Sequence, residues 1–126
     1  MKPRVLICGS RDYTDYEKIK FFVYSLPPGS SIIEGECKGA DKLARMAAEE
    51  KGIPKQRIFR FPVDWSAGKR GGPVRNKKML DEGKPTVVIA FHDDAENSKG
   101  TKNMIEQSLK AGIPVYLNPE SWWDLD

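Results

Sequence analysis

Several polar, glycine-bearing segments of this sequence have the residue types that bind anions. Lys99-Gly100-Thr101 opens a predicted helix, and Lys38-Gly39 precedes another. The first backbone N–H groups of a helix have no intrahelical partner and carry the positive end of the helix dipole, and glycine lets an anion come close to them. Lysine and threonine side chains add further donors. These two segments therefore predict sites for a phosphate group.

Other side chains near the predicted turns supply complementary chemistry. Arg11 and Arg75 carry guanidinium groups that can fork onto phosphate or carboxylate oxygens. Asp41 or Asp64 can accept protons from ribose hydroxyls. The side chains suited to stacking on a base are Trp65, Tyr13 and Phe91. The full set of predicted ligand-binding residues is Gly9, Ser10, Arg11, Gly35, Lys38, Gly39, Ala40, Asp41, Asp64, Trp65, Gly72, Arg75, Asn76, Lys99, Gly100 and Thr101.

Each of these residues also has a plainer interpretation. Arg75 on a helix surface is compatible with a solvated charge, and Trp65 with a cover over the sheet edge. Cys37 can be an incidental loop thiol, and the single histidine, His92, is expected on a surface loop. The acidic run 93–96 is interpreted as a solvated loop, so neither a metal nor a cofactor is predicted. The ligand site is favoured because four strand–helix junctions together carry complementary donors.

Three glycine–proline signals divide the chain into strand–helix units. Gly52-Ile53-Pro54, Gly83-Lys84-Pro85 and Gly112-Ile113-Pro114 each follow a helical pattern and precede a strand-like one. Glycine favours the left-handed stop of a helix, and proline prevents the helix from resuming. The predicted strands are Arg4–Cys8, Ser31–Glu34, Arg57–Phe61, Thr86–Phe91 and Val115–Leu117.

Four predicted helices fill the intervals between the strands. The first begins at a capping box, Thr14-Asp15-Tyr16-Glu17, and the third covers Pro73–Glu82. The tail, 118–126, is expected to fold back onto the body, with a partner-chain contact through Trp122 and Trp123 as the alternative. The predicted buried faces are Tyr16, Ile19, Val23 and Leu26 in the first helix, Ala40, Leu43, Ala44 and Ala47 in the second, and Met104, Ile105, Ser108, Leu109 and Gly112 in the fourth.

This alternation predicts a three-layer α/β domain with a five-stranded parallel sheet of order 3-2-1-4-5 and helices on both faces. The first and fourth strands contain short continuous apolar runs, which are typical of central strands, whereas Arg57 and Arg60 suit the third to an edge. In such sheets ligands bind beyond the carboxyl ends of the strands, near the point where strand order reverses. The polar junctions all fall at that edge.

Composition limits the function classes. The chain has 126 residues, which predicts one domain spanning 1–126, and its net charge is 21 − 18, or +3. This mild charge counts against a nucleic-acid partner, which usually requires a denser basic face. The longest apolar run, Val87–Phe91, is far too short to cross a bilayer. The first residues carry no signal-like apolar stretch, and the two cysteines form no C-x-x-C pair, so we expect a cytoplasmic protein.

Five segments in order resemble the SLOG superfamily of Rossmann-like nucleotide-ligand proteins, and within it the YspA-like, cpYpsA-related group. They are Gly9-Ser10-Arg11, Gly39-Ala40-Asp41, Asp64-Trp65, the run 72–79 and Gly100-Thr101. The group usually shows a second glycine where this chain has Glu36, and an alanine where it has Gly71. Since Glu36 adds a negative charge, its loop is expected to contact a sugar or a base, with phosphate left to the 99–101 turn. Dinucleotide (G-x-G-x-x-G) and P-loop signatures are both absent.

The resemblance implies a nucleotide or nucleotide-derived ligand and leaves open whether it is cleaved. The Lonely Guy branch of the superfamily hydrolyses nucleoside monophosphates with a glutamate three residues after the Gly-Thr turn. Here that position is Met104, and the next acid, Glu106, is rotated from it by about 200° on a helix. The first hypothesis is therefore a sensor or sequestering protein for an ADP-ribose-like or cyclic nucleotide signal, bacterial or phage. The alternative is a hydrolase using Asp41, Asp64 or Glu36.

Two further expectations come from the same resemblance. Related proteins include a DNA-processing branch (Smf/DprA), which makes single-stranded nucleic-acid binding a third and weaker hypothesis. Homo-oligomers are common in the superfamily, so a neighbouring copy of the chain is an expected partner, in addition to the nucleotide-derived small molecule.

Overall fold

A computed structural model of the protein describes residues 2–125, with the exception of the Ala67 side chain. Met1 and Asp126, which end the predicted domain and tail, lie outside the described residues. The strands are β1 (Arg4–Gly9), β2 (Ser31–Glu34), β3 (Ile58–Arg60), β4 (Val87–Phe91) and β5 (Val115–Leu117). The helices are α1 (Tyr16–Tyr24), α2 (Ala40–Lys51), α3 (Gly71–Gly83) and α4 (Lys99–Lys110), with short 3-10 helices at Lys55–Arg57, Trp65–Arg70, Ala95–Asn97 and Trp122–Asp124.

The five strands form one parallel sheet of order β3-β2-β1-β4-β5, which confirms the predicted topology. β4 is buried along its whole length, and the residues within β1 from Val5 to Cys8 are buried as well. These two strands lie at the centre, where helices cover both faces of the sheet and a continuous apolar run is favoured. β3, with the exposed Arg60, is an edge strand as predicted.

Alternate residues of the central strands face two separate apolar layers, as the period of two along a strand requires. Val5 and Ile7 pack on the side of α1 and α2, whereas Leu6 and Cys8 pack on the side of α3 and α4. The small-residue face of α2 is confirmed, because Ala40, Ala44 and Ala47 are fully buried. The prediction for α4 is correct for Met104 and Ser108 and wrong for Leu109, which is 60% exposed.

Some predicted helix boundaries differ from the observed ones. Asp15, not Thr14, is the N-cap of α1, and its carboxylate accepts a hydrogen bond from the Lys18 N–H. Gly52 ends α2 in the left-handed conformation as predicted, but α3 ends on a left-handed Lys84. Gly83 stays helical because its lack of a side chain lets α3 approach Ile33, and its carbonyl accepts two hydrogen bonds from the Arg4 guanidinium.

The remaining differences are local. α3 begins at Gly71, two residues before the predicted start, because the 3-10 helix at Trp65–Arg70 runs directly into it. β3 is shorter than predicted because Lys55–Arg57 forms a 3-10 turn. The tail folds back as expected, since the Trp122 N–H donates to Ser25 Oγ at 2.7 Å. None of the helices within residues 2–125 has the length and apolar character that spanning a membrane requires.

Candidate functional site

A cavity of about 590 Å³ lies at the carboxyl edge of the sheet, beside the point where strand order reverses between β1 and β4. This size is within the usual range for small-molecule sites. Eleven of the sixteen predicted ligand-binding residues line it: Gly9, Ser10, Arg11, Asp41, Trp65, Gly72, Arg75, Asn76, Lys99, Gly100 and Thr101. The other five, Gly35, Lys38, Gly39, Ala40 and Asp64, do not line it.

The N-terminus of α4 forms one wall of the cavity. Ser98 is the N-cap, and its hydroxyl accepts a hydrogen bond from the Thr101 N–H at 3.3 Å. The Lys99 side chain is exposed, and a Cβ added at Gly100 would meet no atom within 4 Å. The start of this helix therefore borders open space, and helix N-termini of this kind suit an anion.

The mouth of the cavity carries an exposed aromatic ring beside a cation. The Arg11 guanidinium carbon lies 5.5 Å from the centre of the Trp65 ring, which is a cation–π distance. Trp65 is 51% exposed at the start of the 3-10 helix, and its indole edge lies 3.6 Å from where a Cβ on Gly72 would be. Gly72 thus leaves room for the ring, and the pair offers a flat surface on which a base can stack.

The N-terminus of α2, in contrast, is closed by the protein itself. The Ala40 N–H donates to the Ser10 carbonyl at 3.0 Å. Gly39 has a φ of +78°, and a Cβ there would lie 2.5 Å from the carbonyl group of Arg11. Gly39 and Ala40 therefore hold α2 against the loop after β1, and the Ala40 N–H is already paired and cannot serve the phosphate predicted at Lys38-Gly39.

Asp41 lies in the first turn of α2 and serves as an internal anion for the preceding loop. Its carboxylate accepts hydrogen bonds from the backbone N–H groups of Cys37 and Gly35. Only 6% of Asp41 is exposed, and burial raises its pKa to about 6 although these bonds and the Arg75 charge act in the opposite direction. Asp41 is thus an ordering group that also borders the cavity.

Arg75 reaches the cavity, but its donors are already directed at the protein. Nη1 donates to the carbonyl oxygens of Gly35 and of Phe61, the latter at 3.2 Å. Nε donates to Asn76 Oδ1 at 3.1 Å, and Nη2 lies 3.8 Å from the Cys37 sulfur. Arg75 therefore ties three segments together and does not present a free guanidinium fork, which differs from both interpretations made from the sequence.

Asn76 is also held by internal bonds. Its amide nitrogen donates to Asn103 Oδ1 at 3.1 Å and to the Gly100 carbonyl at 3.4 Å. Asp64 accepts from the Ser66 N–H at 2.9 Å and caps the 3-10 helix beside Trp65, outside the cavity. Glu36 pairs with Arg60 at 2.6 Å and does not line the cavity, which removes the reason to assign its loop to a sugar or base.

Sequence reasoning missed several lining residues. His92 borders the cavity at the end of β4 and was expected on a surface loop. Asn103 and Lys69 belong to helical segments whose orientation no motif gave. Cys8, Cys37, Met79 and Met104 form a sulfur-rich part of the lining, and burial raises the pKa of the Cys8 thiol above its usual range. Such residues were interpreted as core or incidental positions because apolar side chains give the same periodicity in a core and in a cavity floor.

Basic side chains outnumber acidic ones around the cavity. The basic lining residues are Arg11, Lys69, Arg75 and Lys99, and the acidic ones are Asp12 and Asp41. Within residues 2–125, Arg11, Lys69 and Lys99 take part in no ion pair. The lining therefore has an unneutralised positive charge, which suits an anionic ligand.

An open parallel sheet with helices on both faces and a cavity at its carboxyl edge defines a Rossmann-like α/β protein. Residues 3–68 match the model of the YspA, cpYpsA-related SLOG family, which is 66 of the 126 residues. The chain belongs to this family. The matched part extends from β1 into the 3-10 helix that carries Trp65.

The X-ray structure of DNA processing protein A (DprA) from Streptococcus pneumoniae superposes with a TM-score of 0.75 over 98% of this chain, at 21% sequence identity. The chain spans 52% of that protein. At this identity the likeness shows the shared fold alone. Among curated proteins, none matches this sequence.

Proposed function

We propose that this protein binds a nucleotide or nucleotide-derived small molecule in the carboxyl-edge cavity and acts as a sensor or sequestering protein. One observation carries the proposal: the open N-terminus of α4 and the exposed Trp65–Arg11 pair border the same cavity. The helix start suits a phosphate, and the ring suits a base. An ADP-ribose-like molecule or a cyclic nucleotide carries both groups.

Binding without cleavage is favoured by the residues in the first turns of α4. Met104, where the Lonely Guy branch has its glutamate, is 1% exposed and lines the cavity. Glu106 is exposed on α4 and is not part of the lining. No acidic side chain of α4 thus borders the ligand space to stabilise a sugar cation.

A second candidate function, hydrolysis of a nucleotide N-glycosidic bond, is supported by Asp41. It is a buried carboxylate at the cavity with a pKa raised to about 6, and groups tuned in this way are common acid–base catalysts. Its oxygens, however, already accept backbone N–H groups of the loop. Asp64 and Glu36, the other acids considered for this role, lie outside the cavity lining.

The decisive experiment incubates the purified protein with ADP-ribose, AMP, cyclic AMP and cyclic GMP, and analyses each mixture by chromatography before and after heat denaturation. We expect one compound to leave the free pool and to return intact on denaturation. Native mass spectrometry of the same sample gives the stoichiometry and the proposed homo-oligomeric state.

Other outcomes assign other functions. Release of free base or ribose phosphate identifies a hydrolase, and loss of that activity in Asp41→Asn assigns the acid. Binding of a single-stranded oligonucleotide but of no mononucleotide contradicts the proposal and favours nucleic-acid binding, the function that the name of DNA processing protein A suggests. A protein that binds none of these compounds also contradicts it.

A further inference from the structure

His92 occupies a fixed position at the centre of the carboxyl edge. It directly follows β4, whose last residue, Phe91, pairs with Gly9 of β1 at the point where strand order reverses. The His92 N–H donates to Asn118 Oδ1 at 2.9 Å, and Asn118 Nδ2 donates to the His92 carbonyl at 2.7 Å. Asn118 therefore holds the His92 backbone from both sides, much as a neighbouring strand does.

The imidazole is oriented by the turn that follows it. Its Nδ1 accepts a hydrogen bond from the Asp94 N–H at 2.8 Å, in the manner of an Asx turn. An Nδ1 that accepts cannot carry a proton, so the neutral ring carries its proton on Nε2. The tautomer is thus set by the local chain and does not depend on a ligand.

Nε2–H is left as a donor without a protein partner. His92 is half-buried and lines the cavity together with Ser10, Lys99 and Gly100. Within the part of the chain that the structure describes, Nε2 makes no hydrogen bond. Nε2–H is a neutral, directional donor. It distinguishes ligands by the position of an acceptor atom, because a misplaced acceptor leaves the donor unpaired.

We propose that His92 is a specificity-determining residue that donates a hydrogen bond from Nε2 to an oxygen or nitrogen acceptor of the bound nucleotide. This inference rests on the proposed function and adds to it one named contact. It needs no pH change and no covalent step, since the proton stays on the imidazole.

Two substitutions distinguish the acceptor role of Nδ1 from the donor role of Nε2. His92→Asn keeps an acceptor where Nδ1 lies and can still receive the Asp94 N–H, but it removes the donor at Nε2. His92→Gln keeps an amide donor near the Nε2 position and loses the acceptor at Nδ1. We expect His92→Asn to weaken binding of the best probe, ADP-ribose or cyclic AMP, at least tenfold with an unchanged melting temperature. His92→Gln retains affinity to within about threefold of wild type.

The single histidine of the chain makes the contact directly observable. A long-range ¹⁵N–¹H spectrum of the untagged protein contains one imidazole, which we expect in the Nε2–H form before and after the probe is added. Addition of the probe is expected to shift the Nε2 resonance and to leave Nδ1 in place.

The outcomes distinguish the two proposals. A wild-type protein that binds neither probe overturns the proposed function and, with it, the role of His92. The inference alone is overturned if the probe binds the wild-type protein without moving the Nε2 signal and binds His92→Asn with the same affinity as wild type. A larger loss in His92→Gln than in His92→Asn also overturns it, because His92 then acts only through the turn.

Discussion

The N-termini of α2 and α4 have similar sequences and opposite environments. A lysine followed by a glycine stands at each helix start, just before α2 and in the first turn of α4, and the sequence predicts a phosphate site at both. At α2, the Ser10 carbonyl and the Asp41 carboxylate take up backbone N–H groups of the helix start and of the loop before it. At α4, only the Ser98 hydroxyl caps a donor, and Gly100 faces open space.

The difference shows that a helix start binds a ligand only where the protein leaves its donors unused. α2 carries its own anion, since Asp41 stands in its first turn, whereas the first turn of α4 contains no acid. Ala40 and Asp41 at the start of α2 are therefore buried against the protein, whereas Lys99 at the start of α4 is exposed. Measurements of stability and of affinity on the α2 and α4 sides test this contrast.

The largest effect is expected on stability at the closed helix start. Gly39→Ala places a methyl group against the Ser10 and Arg11 backbone at a φ of +78°. We expect its free energy of unfolding, measured in urea, to fall by about 3 kcal/mol or more. The control is Gly100→Ala, where the methyl group meets nothing and stability is expected to stay within about 1 kcal/mol of wild type. Equal losses in the two variants would show that both helix starts are packed.

The second effect is a pH dependence of stability, which arises from Glu34 at the end of β2 and Asp41 in the first turn of α2. Burial raises the pKa of Glu34 from 4.5 to about 7, and Asp41 shifts in the same direction. Between these values the folded protein binds more protons at Glu34 than the unfolded chain does, so the stability that Glu34 contributes is fully present below pH 4.5 and is lost as pH rises through 7. We expect Glu34 to account for about 3 kcal/mol of that loss.

Urea unfolding of wild type and of Glu34→Gln between pH 4.5 and 7.5 measures this contribution. The slope of the unfolding free energy against pH should flatten in Glu34→Gln. The new amide oxygen can still accept the Glu36 N–H, which the Glu34 carboxylate accepts at 2.5 Å. The matched control, Glu36→Gln, removes an exposed carboxylate paired with Arg60 and should keep the wild-type slope. Parallel profiles for wild type and Glu34→Gln would refute the assignment.

A third prediction concerns the ring at the mouth of the cavity. Trp65→Ala should weaken binding of ADP-ribose by about 2 kcal/mol, a typical contribution of one stacked base. Isothermal titration gives the affinity. Trp123→Ala is the matched control, because Trp123 is 77% exposed on the tail and lies outside the cavity lining. If both variants bind as wild type does, the base does not stack on Trp65.

The smallest effect compares the two lysines. Lys99→Ala should weaken binding by about 1 kcal/mol at low salt, because an exposed charge near an anion contributes modestly and is screened by ions. Lys38→Ala should leave affinity unchanged, since Lys38 lies outside the cavity lining. Titrations of the two variants at two salt concentrations measure each lysine's contribution to affinity. An equal loss of affinity in both variants would indicate a general attraction of anions to the whole carboxyl edge of the sheet.

Much of the fold could be predicted because its signals are local. The apolar runs of β1 and β4, the glycine stop at Gly52 and the two arginines near β3 gave the order of the sheet and its edge. Errors came where two neighbouring residues compete for one role, as Thr14 and Asp15 do at the start of α1, or where packing overrides a signal, as at Gly83.

The candidate site was predictable in its place and its general chemistry. The order of the strands puts the turns after β1 and β4 at one edge, and their polar residues follow from the sequence. The sequence did not distinguish a guanidinium that ties loops together, Arg75, from one that faces the ligand space, Arg11. It also gave no signal that His92 borders the cavity, a placement that depends on the position of β4 in the sheet and on Asn118, 26 residues away, which holds the His92 backbone.

By itself, the sequence determined that this protein has alternating strands and helices, a parallel sheet and polar, glycine-bearing turns at one edge. These properties depend on periodicity, caps and turn residues, which act over a few neighbours in the chain. Only the tertiary structure decided which of those turns is closed and which is open. That choice depends on whether a carbonyl or carboxylate from a distant segment reaches the same N–H group, and no local pattern records such a contact.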